Sequence, residues 1–268
     1  MSLDTSFDIK NIICSYLYGL KVTINLYNLN KDHQDNIIIR NLYDMPSIYL
    51  IRLNQQVIEQ KKYKYVEKLD ADYRYNIENV NHIKNTLKIL NCSNYYDGVD
   101  QNGISELNLI ELYANNNKKI TNVNHMKETL KILHCNCDSG IDQNGISELN
   151  LIELDVCDNK RIKNMNHMKK ILKILKCGYN CGIDQNGILE LNLIELDANN
   201  NKKITNVNHM KKTLKILNCD YDCGIDENGI SELNLIRLDA SYNKKMKDVN
   251  HMKKTLKILN YYNYCLID

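Results

Sequence analysis

Histidine and cysteine recur along the chain at a fixed spacing, and both residue types bind zinc in proteins. The equivalent residues are separated by 42 or 43 positions: His82, His125, His167, His209 and His251, with Cys92, Cys135, Cys177 and Cys219. If each block adds two strands to a stack, equivalent residues lie about 10 Å apart. Zinc ligands sit at roughly 2.1–2.3 Å from one metal, and a disulfide needs a Cα separation below about 7 Å. Equivalent residues therefore cannot share a zinc ion or a disulfide, and the repeated cysteines are predicted to be small buried core residues.

Other cysteine pairings remain open from the sequence. The pairs are Cys177 with Cys181, Cys219 with Cys223, and Cys137 with Cys157. The first two pairs lie within one repeat and are candidate metal ligands. The third pair falls near the surface in adjacent repeats, where an adventitious disulfide could form.

The segment Asp142-Gln143-Asn144-Gly145 resembles part of a calcium-binding EF-hand loop. Aligning Asn144 and Gly145 with that loop places Gly140 and Leu151 where calcium needs carboxylates. The sequence therefore favours an Asn-Gly turn that opens a convex segment over a calcium site.

No nucleophile, base and orienting residue can be assembled from the sequence, and no glycine-rich loop is present to hold a phosphate. Catalysis by Cys14 is the alternative, but no histidine is paired with it. The sequence therefore predicts no catalytic residue, no cofactor, no metal site and no enzymatic activity.

The charge balance argues against nucleic acid as a partner. The 268 residues include 35 Lys and Arg against 33 Asp and Glu, a formal net charge of +2. No stretch approaches the roughly 18 apolar residues of a membrane helix, and no signal-peptide pattern opens the sequence. We expect a cytoplasmic protein without a membrane partner, with its ten cysteines reduced.

The elements that carry these residues are internal repeats. Gly-Ile-Asp-Gln-Asn-Gly-Ile at 140–146 recurs at 182–188 and, with Glu for Gln, at 224–230, which gives a period of 42. Inside each period the pattern Leu-x-x-Leu-x-(Ala/Cys/Val)-x-x-(Asn/Asp)-x-x-Ile runs twice, so that about ten repeats of 21 residues follow one another. They begin at Val66, Leu87, Leu109, Leu130, Leu151, Leu172, Leu193, Leu214, Leu235 and Leu256. Alternation at positions 4 and 6 predicts a strand in each repeat, with Leu154 and Val156 inward and Glu153, Asp155 and Cys157 outward.

This pattern resembles the leucine-rich repeat, in the version with Cys or Ala at position 6 and Ile at position 12, over residues 66–267. The resemblance implies an α/β solenoid with a curved parallel sheet on the concave side and short helices or turns on the convex side. It also implies that position 9 forms a hydrogen-bonded ladder: Asn117, Asn159, Asn180, Asn201 and Asn243, with Asp138 and Asp222. Stacking is required, because one repeat cannot bury enough apolar surface to fold alone.

The outward strand positions are predicted to form a concave protein-binding face. Acidic, aliphatic and aromatic side chains alternate there, a mixture that protein interfaces use, although a solvated face repeated by duplication is the alternative. The predicted residues are Glu111, His134, Glu153, Asp155, Ile174, Lys176, Glu195, Asp197, Ile216 and Asp239, with Tyr179, Tyr221 and Tyr242 at position 8.

Residues 1–60 lack the repeat and are predicted to form a separate helical domain, followed by the repeats at 61–268. Ile9, Ile12, Ile13, Tyr16 and Leu17 have the spacing of one helical face. Two further apolar sets, Leu20 to Leu29 and a third around Ile37 to Leu42, predict three short helices that end before Pro46.

This segment resembles an F-box over residues 5–45. Asp8, Ile9, Ile13, Ser15, Tyr16 and Leu17 match its first part, and Leu20, Ile24, Leu26, Leu29, Asn30 and Lys31 its second. The Leu-Pro step and the late Trp of that family are missing, and Lys10 replaces an apolar residue. A helical cap on the first repeat is the alternative.

The F-box followed by leucine-rich repeats is the architecture of substrate adaptors in cullin-type ubiquitin ligases. By that resemblance Ile9, Ile13 and Leu17 would dock on a Skp1-like subunit, and the repeats would hold the substrate. The near-identical copies also resemble F-box and repeat proteins of giant DNA viruses of amoebae, which implies a host cytoplasm. A plain repeat scaffold or virion-associated structural protein is the alternative. At the C-terminal end, either Tyr261, Tyr262 and Tyr264 or a second chain in a dimer would cover the last repeat.

Overall fold

The computed structural model describes residues 39–42, 53–72, 76–93 and 98–262. Two compact segments divide the chain, Met1–Tyr113 and Ala114–Asp268. The predicted docking residues Ile9, Ile13 and Leu17, and the alternative nucleophile Cys14, lie outside the described residues. The domain boundary between residues 60 and 61 therefore stays a prediction.

The described part of the first segment contains four parallel strands, each paired with the next in chain order. They are β1 (Asn41–Leu42), β2 (Lys68–Asp70), β3 (Ile89–Asn91) and β4 (Glu111–Tyr113), with helix α1 (Gln55–Ile58) and 3-10 turns at Lys61–Tyr63, Asn81–Ile83 and Asn102–Ile104. Helix α1 begins where the Asn54 side chain accepts a hydrogen bond from the Val57 N–H. The third predicted helix, around Ile37 to Leu42, is wrong at its end, because β1 pairs with β2 and Leu42 is buried there.

The second segment contains seven parallel strands in chain order. They are β5 (Ile132–His134), β6 (Glu153–Asp155), β7 (Ile174–Lys176), β8 (Glu195–Asp197), β9 (Ile216–Asn218), β10 (Arg237–Asp239) and β11 (Ile258–Asn260). Neighbours pair at a shift of 21 residues, as in Leu154 opposite Leu175. Every one of the ten predicted repeats supplies one strand, β2 to β11, and the leucine-rich-repeat fold is confirmed.

The core consists of the residues that the repeat pattern places inward. Leu154 and Val156 are fully buried, as predicted, and the equivalent leucines of β5 to β10 are also fully buried. Cys135, Cys177 and Cys219 are fully buried beside them. Burial raises the pKa of the Cys177 thiol well above its ordinary value. These cysteines are therefore small core residues, as the sequence predicts.

The segments opposite the strands are single 3-10 turns. Those of the second segment lie at Asn124–Met126, Asn144–Ile146, Asn166–Met168, Asn186–Ile188, Asn208–Met210, Asn228–Ile230 and Asn250–Met252. After Met210 the N–H groups of Thr213 and Leu214 both bond to the Met210 carbonyl, and the next strand begins at Ile216. The predicted helical pieces are thus limited to one tight turn, because a 21-residue repeat leaves too little chain for more.

The Asp-Gln-Asn-Gly segments join one turn to its neighbours. The Asp184 carboxylate accepts the Gly187 N–H at 3.1 Å, and a Cβ at Gly187 would lie 2.1 Å from the Lys163 carbonyl oxygen. Gln185 Oε1 accepts the N–H groups of Thr205 and Asn206, both at 3.0 Å, in the following repeat. The prediction of an Asn-Gly turn is confirmed, and its side chains serve the fold.

The position-9 ladder exists in the odd repeats, which begin at Leu109, Leu151, Leu193 and Leu235. Asn201 Nδ2 donates to the carbonyls of Cys177 (2.8 Å) and Ile183 (3.2 Å), and Asn159 and Asn243 make the equivalent bonds.

The ladder prediction is wrong for the even repeats, which begin at Leu130, Leu172, Leu214 and Leu256. Asp138, Asn180 and Asp222 are exposed there. The buried side chain comes one position later, at Ser139, Cys181 and Cys223. Cys181 Sγ accepts the Ile183 N–H at 3.3 Å in place of the asparagine amide.

The repeated histidines bind the backbone of the preceding repeat. In the second segment, Nε2 of His167, His209 and His251 lies 3.3, 3.1 and 3.1 Å from the carbonyl oxygens of Ile146, Ile188 and Ile230. A carbonyl oxygen can only accept, so Nε2 carries the proton. That nitrogen is therefore committed to the fold and cannot bind zinc.

Candidate protein-binding surface

The strand face is the row of side chains at repeat positions 3 and 5 of β5 to β11. The strand pairing sets Glu153 beside Ile174 and Ile174 beside Glu195 in the position-3 row. In the position-5 row it sets Asp155 beside Lys176 and Lys176 beside Asp197. The second segment therefore brings the predicted residues of β5 to β10 onto one surface. Glu111 lies on β4 of the first segment, where its carboxylate accepts the Tyr113 hydroxyl at 3.2 Å.

These side chains are less accessible than the sequence suggests. His134, Glu153, Lys176, Glu195 and Asp197 are half-buried, because strands only about 4.8 Å apart cover each other's outward side chains. Asp155 is 8% exposed and is therefore buried. Its predicted place on an accessible face is a correction to make, since its carboxylate lies within the sheet surface and accepts the Cys157 N–H at 3.2 Å.

Charges on β5 to β7 neutralise one another. His134 Nε2 and Lys176 Nζ lie 3.2 and 3.0 Å from the same Glu153 oxygen, Oε1. His134 Nδ1 lies 3.9 Å from the Asp155 carboxylate. Burial pushes the pKa of Glu153 upward, but hydrogen bonding and charge from Lys176, with His134, lower it overall. This part of the strand face is a closed ion-pair network with little charge left for a partner.

Carboxylates on β8 to β10 have fewer cationic neighbours, and we call this region the acidic half: Glu195, Asp197, Asp220 and Asp239. Among the described residues neither Glu195 nor Asp197 has an ion-pair partner within 4.0 Å. Burial raises the pKa of Asp197. Burial, with the charges of Asp239 and Asp197, raises the pKa of Asp220 to about 6. The acidic half therefore concentrates negative charge in a partly desolvated surface.

Asp239 differs from its neighbours in the acidic half. Burial raises its pKa, but hydrogen bonds from Asn260 and Ser241 outweigh that effect and lower the pKa overall. The Asn260 amide donates to Asp239 Oδ2 at 2.9 Å. Asp239 is therefore ionised under all near-neutral conditions.

Tyrosines border the strand face at position 8. Tyr179, Tyr221 and Tyr242 have positive φ angles of 59°, 50° and 60° and side chains that are 55%, 54% and 43% exposed. The rings of Tyr221 and Tyr242 stack at 5.3 Å between centroids, and Tyr242 stacks on Tyr262 at 6.3 Å. Left-handed backbone is costly for a bulky residue, so each ring stands on a turn that the repeat fold imposes.

Sequence reasoning missed a row of exposed isoleucines at position 2, immediately before the strands of the odd repeats. Ile152, Ile194 and Ile236 are 44%, 45% and 41% exposed. Lysines hold the same position in the even repeats. The signal was available, because an apolar residue that alternates with lysine at one repeat position lies on the surface.

The remaining sequence candidates concern metals and membranes. Within residues 39–42, 53–72, 76–93 and 98–262, no three His, Cys, Asp or Glu side chains gather as a metal site would need. The Cys137, Cys157, Cys181 and Cys223 thiols are free, and burial raises the pKa of Cys181 to about 11. In the same described ranges no helix is both long and apolar enough to cross a membrane.

Comparison with known proteins gives little beyond the fold. No protein-family model matches the chain. No curated protein matches it either. A solved structure that it resembles is a chain of the crystal structure of the Rad7 and Elc1 complex in yeast, with 14% identity and a TM-score of 0.43 over 77% of this chain and 71% of that one.

Proposed function

We propose that this protein is a non-enzymatic interaction module whose strand face binds a partner protein. The observation that carries the proposal is the acidic half, where Glu195 and Asp197 stand without ion-pair partners beside the exposed Ile194 and Ile236. Carboxylates, an apolar row and the bordering tyrosines together match the chemistry of protein interfaces. Charge complementarity selects a partner segment that carries Lys or Arg among apolar residues.

Peptide selection on the full chain tests this proposal. A random peptide library is panned against the wild type and against a Glu195→Lys, Asp197→Lys double variant. We expect wild-type peptides rich in Lys or Arg with apolar residues, and loss of their binding in the variant. Glu190→Lys with Glu232→Lys is the matched control, since these exposed carboxylates pair with lysines on the turns. Selected peptides without basic residues, or equal loss in the control, would contradict the proposal.

The more specific proposal is a substrate adaptor of a cullin-type ubiquitin ligase in the cytoplasm. Residues 1–60 dock on a Skp1-like subunit through Ile9, Ile13 and Leu17, and the repeats present the bound protein to the ligase. The support is the F-box resemblance of residues 5–45 and its position ahead of the repeats. The chemistry of ubiquitin transfer belongs to other subunits.

A pull-down with a eukaryotic Skp1-like subunit tests the adaptor role. An Ile13→Asp, Leu17→Asp variant is compared with Lys10→Asp, Asn11→Asp, which changes the predicted polar side of the same helix. Circular dichroism first establishes that both variants keep folded repeats. Binding by the wild type and the control, lost in the apolar variant, is expected. Absence of binding by the folded wild type would remove the adaptor role and leave a repeat scaffold with a helical cap.

A further inference from the structure

A basic cleft lies in the second segment, beside the turns that follow β6, β7 and β8. Its volume is about 620 Å³, and it is lined by Lys160, Lys163, Lys202, Lys203, Tyr179 and Asp222, among others. Four lysines against one aspartate give the lining a formal charge of +3. The near-neutral net charge of the chain hides this local excess.

The repeats on either side show that the cleft has lost an acid. Lys118 pairs with Asp138 at 3.2 Å, and Lys202 pairs with Asp222 at 3.0 Å. In the repeat pair between them, the lysine is Lys160 and the residue in the place of the aspartate is Asn180. Lys160 consequently has no carboxylate partner among the described residues.

The same place has also gained a base. Lys163 occupies the position that Thr121 and Thr205 hold in the neighbouring odd repeats. The two differences add two positive charges where the chain is otherwise nearly repeated. Lys202 is held by Asp222, and Lys203 Nζ donates to the Cys181 carbonyl at 2.7 Å, so Lys160 and Lys163 are the two cations left for a ligand.

We propose that the basic cleft binds a phosphate-bearing group. A phosphate monoester carries about −1.5 to −2 charges and three strong acceptor oxygens, which suits several ammonium donors. Ligand sites commonly measure roughly 300–1,000 Å³, and the cleft falls within that range. The Tyr179 ring, 55% exposed, provides an aromatic wall for the organic part of the ligand. The phosphate comes either from a small organic phosphate or from a phosphorylated side chain of a bound protein.

Calorimetric titration of the full chain tests the cleft and separates the two sources. The probes are tripolyphosphate, ATP, a phosphoserine peptide and the same peptide with glutamate for phosphoserine. Titrations at about 50 mM and about 300 mM salt measure the electrostatic share, because added salt screens surface charge. Binding of at least one phosphate probe at low salt is expected.

Variants that copy the neighbouring repeats supply the controls. We expect Lys163→Thr and Asn180→Asp each to weaken binding about three- to tenfold, and Asp222→Asn to strengthen it by a similar factor. All three place in the cleft a residue type that equivalent repeats already carry, so the fold is retained. Lys212→Thr, an exposed lysine outside the lining, should leave the affinity unchanged.

The outcomes are distinct. Tripolyphosphate or ATP binding that follows the variants identifies a small phosphate ligand, whereas binding of the phosphopeptide alone identifies a phosphorylated protein. Absence of binding by every phosphate probe, insensitivity to the three cleft variants, or equal affinity for the glutamate peptide would overturn the proposal. The strand face takes no part in this experiment, so its result is independent of the proposed function.

Discussion

Asn201 and Asn180 hold the same position in successive repeats but contribute differently to stability. Asn201 is 1% exposed, donates to two carbonyls and accepts the Lys203 N–H at 3.0 Å. Asn201→Ala should therefore lower the free energy of unfolding by about 2–4 kcal/mol, because three buried backbone groups lose their partner. Urea denaturation followed by circular dichroism measures the change.

Asn180→Ala is the matched control for that substitution. Asn180 is exposed, and an exposed side chain without buried partners should change stability by less than about 0.5 kcal/mol. Equal destabilisation by the two alanine variants would show that the ladder extends through both kinds of repeat.

Asp220 is expected to reduce stability at neutral pH. Its pKa is raised to about 6 by burial and by Asp239 and Asp197, above the ordinary value of 3.8, so the folded protein binds this proton more tightly than the unfolded chain. Stability from this group is therefore full below about pH 4 and is lost as the pH rises through about 6.

Asp220→Asn should raise the free energy of unfolding at pH 7 by about 1 kcal/mol or less, since solvent screens a half-exposed group. It should also flatten the decline in stability between pH 4 and 6. Denaturant unfolding across that pH range is the measurement. Asp222→Asn is the control, because Lys202 lowers the Asp222 pKa; a gain of stability in that variant as well would refute the explanation.

Residue roles were predictable from the sequence where they follow from the repeat period alone. The buried leucines and the repeated cysteines follow from it, because the period fixes which side chains face inward. The role of His209 did not, since its ring bonds to the carbonyl of Ile188 in a different repeat. The burial of Asp155 also escaped prediction, because it depends on two neighbouring strands.

At the scale of the element, glycines set the distance between neighbouring turns. The backbone of Lys163 lies so close to Gly187 that a Cβ there would stand 2.1 Å from its carbonyl oxygen. Gly187→Ala should lower the free energy of unfolding by about 1–3 kcal/mol, because backbone rather than a flexible side chain must move. Thermal and urea unfolding would measure this loss.

Leu189→Ser provides the control on the same turn. Leu189 is 51% exposed, and equivalent repeats carry Ser105, Ser147 and Ser231 there. We expect unchanged stability in this variant. A Gly187→Ala protein as stable as the wild type would mean that the turns separate more easily than their close approach implies.

Strands were easier to predict than turns. A three-residue strand with one buried leucine leaves a clear alternation in sequence, as in Glu153–Asp155. The turns carry apolar residues at a spacing typical of a helix, yet only a 3-10 turn forms, as at Asn208–Met210. The chain must return to the next strand within 21 residues, and this limit does not appear in the local pattern.

At the scale of the whole second segment, two kinds of interface alternate along the stack. From odd to even repeat, Asn208 Nδ2 donates to the Asn228 carbonyl at 2.8 Å, and its Oδ1 accepts the Glu232 N–H at 2.9 Å. From even to odd repeat, Gln185 binds the backbone of Asn206 through both its oxygen and its nitrogen. The structural period is therefore 42 residues, although strands recur every 21.

This alternation predicts that removing more of the chain does less harm. Deletion of residues 151–192 removes one odd and one even repeat, and joins identical sequence, since Glu148–Asp155 and Glu190–Asp197 have the same eight residues. Every remaining interface then keeps its kind. Deletion of residues 151–171 instead sets two even repeats side by side, so that Gln143 faces a turn without the N–H groups that it binds at Lys163 and Asn164.

The longer deletion should unfold in one cooperative transition, with a smaller denaturant dependence that reflects its smaller buried surface. The shorter deletion should lose about 3 kcal/mol or more, because buried backbone groups at the new interface lack partners. Urea unfolding of both proteins decides between the periods. If the 21-residue deletion were as stable as the 42-residue deletion, neighbouring repeats would be interchangeable, and the alternating hydrogen bonds would contribute little to the stability of the stack.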